Sequence, residues 1–93
     1  MTTTNVIELI NEIFEKREAS KEYRRSEEFS RGLDELEKLG VDEIAFREYQ
    51  SALHFLKKNG AENRVEFIKT IADISEYKQD KDAFLEKYNN WNK

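Results

Sequence analysis

The chain contains no proline, and two of its three glycines, Gly40 and Gly60, stand where amphipathic segments end. Glycine just past a periodic segment is the usual left-handed helix terminator, because it has no Cβ to make a positive φ costly. Gly40 follows Leu33 to Leu39, and Gly60 follows Leu56 to Asn59. With no proline to break helices elsewhere, this punctuation divides the sequence into helical stretches. No segment alternates apolar and polar positions over four or more β-branched residues as a strand would, and Asn59-Gly60 reads as a helix end rather than a hairpin turn. The expectation is an all-α fold, a compact irregular bundle of four to five helices forming one domain over residues 1-93.

Composition decides whether such helices can hold together. Charged residues are 39% of the 93-residue chain and hydrophobic ones 38%, a balance that also occurs in disordered proteins. The net charge is only −4, however, and aromatics reach 12%. Large rings on helical faces give a small core enough apolar area to compete with chain entropy. A folded domain of modest stability is expected. There is no cysteine, so no disulfide framework and no thiolate metal site can form. Unbroken apolar runs do not exceed three residues, and the start, Met1 to Asn5, lacks a secretory signal pattern. A cytoplasmic protein is the expectation. An excess of acidic over basic side chains also argues against a general duplex-binding role.

Along the chain, Asn5 and Glu8 have capping-box spacing and open a first helix with Val6, Ile7, Ile10, Ile13, Phe14 and Arg17 on one face. This dense apolar face makes Val6, Ile10, Ile13 and Phe14 the candidate seam of a homodimer. The apolar signal then lapses until Glu28, with a helix break expected near Ala19-Ser20. A second stretch runs through Tyr23, Phe29, Leu33, Leu36 and Leu39. Gly32 lies inside it, either because a neighbouring helix approaches closely or because the helix is loosened there. Asp42 caps a third helix whose seam is Phe46, Tyr49, Leu53 and Leu56, flanked by Ile44, Ala52 and Phe55. Asn63 and Glu66 form a second capping-box pattern, opening a fourth helix through Phe67, Ile68, Ile71 and Ile74. The period fails across Ser75 to Asp80, and a last helix presents Phe84, Tyr88 and Trp91.

No glycine-rich phosphate loop, Ser-His-Asp arrangement or calcium loop is present, so no catalytic residue, metal ligand or cofactor is expected. Arg47 and His54, the one histidine, are separated by six residues on the third helix. That spacing resembles the pair used by the HEPN family of helical ribonucleases. The resemblance implies an acid–base histidine and a charge-stabilising arginine meeting over a scissile phosphate in a dimer. It covers those two residues alone, and Glu48, directly after the arginine, departs from the family's preference. On the residues themselves, His54 reads as a surface or boundary side chain.

Two surfaces stand out as candidates for binding. If Lys16 to Arg31 is one helix, Arg17, Lys21, Arg24 and Arg31 share a stripe, with Arg25 beside them and Tyr23 nearby. Such a stripe suits an acidic protein face or, as an alternative, nucleic-acid phosphates. The same segment also reads as a solvated helix laced with the pairs Glu18–Lys21, Glu22–Arg25 and Glu27–Arg31. At the other end, Tyr88 and Trp91 either close the bundle or anchor a partner. The function expected is that of a small non-catalytic protein-binding module: an adaptor, inhibitor or regulator, such as phages and mobile elements encode against host proteins. A ribonuclease of the HEPN kind is the remote alternative.

Overall fold

The computed structural model describes residues 3–71 and 74–91. Among them the chain forms six α-helices and one 3-10 helix: α1 (Thr3–Ala19), η1 (Lys21–Arg25), α2 (Glu27–Lys38), α3 (Glu43–Lys58), α4 (Arg64–Thr70), α5 (Ser75–Gln79) and α6 (Lys81–Trp91). The fold is all-α, with more and shorter helices than the periodicity suggests. No described helix is long and apolar enough to cross a membrane.

The two glycines end their helices by the same device. Gly40 has φ +90° and Gly60 φ +78°. At α2, Gly40 N–H donates to Glu37 C=O at 3.0 Å and Val41 N–H to Leu36 C=O at 2.9 Å. At α3, Gly60 N–H donates to Lys57 C=O at 3.1 Å and Ala61 N–H to Leu56 C=O at 3.0 Å. Both are Schellman endings, and in both the residue after the glycine is buried with the helix residue whose carbonyl it uses.

The N-termini follow the sequence less closely. Asp42 caps α3 as expected, accepting from Ala45 N–H at 2.8 Å. Asp80 Oδ1 accepts from Asp82 and Ala83 N–H and so opens α6. Asn5, by contrast, lies within α1, which begins at Thr3, so it does not take the N-cap position; its side chain is outside what the structure describes. Asn63 does stand at the N-cap of α4, but its side chain makes no cap hydrogen bond; instead its backbone N–H donates to the Tyr88 hydroxyl at 3.4 Å. α4 also stops at Thr70, because Ile71 turns to extended backbone (φ −86°, ψ 123°). Ile74 therefore belongs to the entry of α5 rather than to α4.

α1 is the centre of the bundle, touching η1, α2, α3 and α4. Its residues Ile7, Ile10, Ile13 and Phe14 are 0–2% exposed. Of the residues expected to form a dimer seam, Ile10, Ile13 and Phe14 lie in the chain's own core, and Val6 is half-buried against it. From α3, Phe46, Ala52, Leu53 and Leu56 enter the same core, whereas Ile44 is 70% exposed and does not flank the seam.

Gly32 marks a close approach. A Cβ placed on it would stand 3.0 Å from Ile13 Cδ1 on α1. Alanine there gains about 1 kcal/mol of helix propensity but forces the tip of Ile13 aside. The two effects are expected to couple. Gly32→Ala alone should be near neutral, and in an Ile13→Val background, which removes Cδ1, it should stabilise by about 0.5–1 kcal/mol. A double-mutant cycle by urea unfolding measures this.

α6 docks through rings. Phe67 on α4 meets Phe84, Tyr88 and Trp91 with centroids 5.4, 5.2 and 5.4 Å away, and Tyr77 on α5 links Phe84 to Phe55 at 5.5 Å each. Tyr88 is 4% exposed and closes the core. Trp91 is 38% exposed and lies over Phe67 and Tyr88.

Candidate functional site

The sequence breaks where its apolar signal lapses. α1 ends at Ala19, and Ser20 is extended (φ −150°, ψ 125°) but offers no side-chain cap. Ser26 is the second break and the effective cap: its Oγ accepts from Phe29 N–H at 3.2 Å and donates to Tyr23 C=O at 2.6 Å. One hydroxyl thus starts α2 and fastens the end of η1. Ser26→Ala is expected to cost about 1 kcal/mol, readable in a thermal melt. The local signal for this cap was present, a serine followed by two glutamates in the first turn.

Between the two serines, η1 forms an elbow with no buried residue. Tyr23 anchors it, its ring edge-on to Phe29 at 5.7 Å and beneath the Lys16 ammonium at 5.9 Å. Burial pushes the Tyr23 phenol up from its ordinary value. Tyr23 is therefore a packing residue of the elbow rather than an exposed contact ring. Lys21, Arg24 and Arg25 point to solvent from the same turn.

The elbow faces α3 across an open concavity of about 760 Å³, lined by Arg17, Glu18, Lys21, Glu22, Arg24, Arg25 and Gln50. The continuous stripe does not exist, yet the fold gathers four of its five basic residues around one depression. Arg31 is the exception; it is exposed on α2 and lines neither this concavity nor the next.

Among the described residues, no carboxylate forms an ion pair with Arg17, Lys21, Arg24, Arg25 or Arg31. The helical pairs Glu18–Lys21, Glu22–Arg25 and Glu27–Arg31 are not made; the break at Ser20 parts Glu18 from Lys21, whereas Glu22 and Arg25 share η1 and Glu27 and Arg31 share α2 without pairing. Elsewhere pairing is common. Lys16 binds Glu28 at 2.6 Å, Lys78 binds Glu48 at 2.7 Å, and Lys69 bridges Glu8 and Glu66 at 2.8 and 3.0 Å. Arg64 is held by Glu15 and Asn11 on α1.

Arg17 is the most constrained of the cluster. It is half-buried, and its Nε–H is buried with no acceptor among the described residues. Burial first, then the charge of Arg24, hold its guanidinium below the ordinary value, with Glu18 opposing them in part. The Nε–H of Arg64, on the other side of α1, is likewise buried without an acceptor among the described residues.

Arg17, Glu18, Arg24 and Gln50 also border a second concavity of about 500 Å³, where α2 and α3 close on α1. Its floor includes Phe14, Phe29, Leu33 and Phe46, and its rim carries Glu43, Arg47, Ser51 and His54. Arg47 and His54 both line this concavity: Arg47 Nη2 donates to Glu43 Oε1 at 2.7 Å, and His54 Nδ1 lies 3.5 Å from Glu18 Oε1. The His54 ring is edge-on to Phe14 at 5.7 Å. Among the described residues, no group of three His, Cys, Asp or Glu side chains could hold a metal ion.

No family model matches the chain, and neither the curated proteins nor the solved structures contain a significant match. The functional reading therefore rests on the geometry of this surface.

Proposed function

We propose that this chain is a non-catalytic, cytoplasmic binding module that acts as an adaptor, inhibitor or regulator by holding an acidic segment of another protein against the α1–η1–α3 concavity. The observation that carries this reading is the group of unpaired cations Arg17, Lys21, Arg24 and Arg25 around one depression. Arginine forks match carboxylates bidentately, and charge-assisted bonds are about twice as strong as neutral ones.

Two features favour a protein partner over nucleic acid. Proteins that hold single strands stack bases on open aromatic rings, and Tyr23, the ring nearest the cluster in sequence, is packed against Phe29. The concavity also carries Glu18 and Glu22 on its border, in a chain of net charge −4. Dense phosphates would be repelled there, whereas a folded partner can place single carboxylates between the glutamates.

The test is a titration of the isotope-labelled chain followed by NMR. Polyglutamate is expected to shift the amides of residues 17–25 and of Gln50, and a single-stranded oligonucleotide of equal charge to shift them less. A stronger response to the oligonucleotide would overturn the protein-binding reading in favour of a nucleic-acid one.

A further inference from the structure

The two concavities form one groove. Arg17 and Arg24 border both, so the basic elbow runs directly into the depression floored by Phe29, Leu33 and Phe46. Phe46 is already buried, but Phe29 and Leu33 on α2 are only half-buried and leave apolar edges facing the groove. Of the carboxylates on this second rim, Glu43 is engaged by Arg47 at 2.7 Å, and Glu18 lies 3.5 Å from His54 Nδ1. Positive charge and apolar surface therefore lie side by side, with Arg17 and Arg24 at the junction.

Resting on the reading above, we infer that the segment this groove takes is an acidic peptide carrying a bulky apolar side chain. One or two carboxylates sit on Arg17 and Arg24, and the neighbouring leucine- or phenylalanine-like side chain covers Phe29 and Leu33. Charge alone gives fast but loosely specified encounters; an apolar anchor beside it fixes register and slows release. The groove also sets the order of the two elements. The acidic residues approach from the η1 side, and the apolar one lies toward α2 and α3.

A library of randomised twelve-residue peptides, displayed and selected on the full-length chain, tests this. Selected peptides are expected to share Asp or Glu together with a large apolar residue within a few positions. A representative peptide should bind Arg24→Glu at least about tenfold more weakly, a change of about 1.4 kcal/mol in binding. Replacing its apolar residue by glycine should weaken binding to the unaltered chain by a similar factor. Acidic peptides without an apolar preference, still lost on Arg24→Glu, would overturn the anchor and leave the anion-binding reading standing. Selected peptides without acidic residues, binding indifferent to Arg24→Glu, or no enrichment at all would overturn both.

Discussion

Phe67→Ala is expected to destabilise the chain by about 3–5 kcal/mol, enough to unfold much of it at body temperature. Phe67 is fully buried and is the one residue of α4 in ring contact with Phe84, Tyr88 and Trp91. Removing it forfeits its own transfer free energy and leaves three rings around a void that two short helices cannot easily collapse. In a domain of this size each kcal/mol shifts the melting temperature by about 4–8 °C, so a fall on the order of 20 °C should appear in a thermal melt followed by circular dichroism. Trp91→Ala, at the open end of the same cluster, should cost less than half as much. A loss below about 1 kcal/mol for Phe67→Ala would mean that α5 and α6 are not held to the bundle by this cluster.

The double variant Arg17→Glu/Arg24→Glu is expected to abolish partner binding, by at least about a hundredfold, with little change in stability. The sign of the stability effect is what separates a contact surface from a structural one. Burial and Arg24 lower the affinity of Arg17 for its proton in the folded chain, so the charged form is disfavoured by folding. That penalty is present at every pH below the folded-state value, which covers the whole working range, and is relieved only in strong alkali. Arg17→Met should therefore leave the melting temperature unchanged or raise it, by up to about 1 kcal/mol in stability, while weakening binding. Structural cations behave in the opposite way: Arg64, tied to Glu15 and Asn11, should lose stability when replaced by Met. A melting temperature that falls sharply in Arg17→Met would assign Arg17 to the scaffold instead.

The helix ends at Gly40 and Gly60 were legible because a positive φ selects one residue type whatever the tertiary context. The α3 seam was legible because a long, strongly amphipathic helix repeats its signal over four turns. What failed were features that depend on competition between neighbours. Asn5 and Asn63 fit a capping pattern, yet α1 begins earlier than Asn5, and Asn63 has its backbone N–H taken by the Tyr88 hydroxyl. Ile44 has the right residue type for the core, but α3 turns it outward. The face of α1 is covered by helices from more distant parts of the chain, which its own periodicity does not reveal.

The basic residues were found for a reason that did not hold. Their alignment as Arg17, Lys21, Arg24 and Arg31 assumed one helix, and η1 breaks it. Arg17, Lys21, Arg24 and Arg25 still converge, because an elbow folds the segment back over α1 and toward α3. Their lack of carboxylate partners was not readable: the sequence offers glutamates at helical spacing, but the break at Ser20 parts Glu18 from Lys21, and Glu22 and Arg25 do not pair within η1.

A tagged pull-down from bacterial lysate tests most directly whether this elbow holds a protein. Nuclease-treated and untreated lysates should be run with the unaltered chain and with Arg17→Glu/Arg24→Glu, and read by mass spectrometry. The expected result is a stoichiometric protein that survives nuclease treatment and is lost with the double variant. A partner retained by the double variant, or recovered only while nucleic acid is intact, would contradict it.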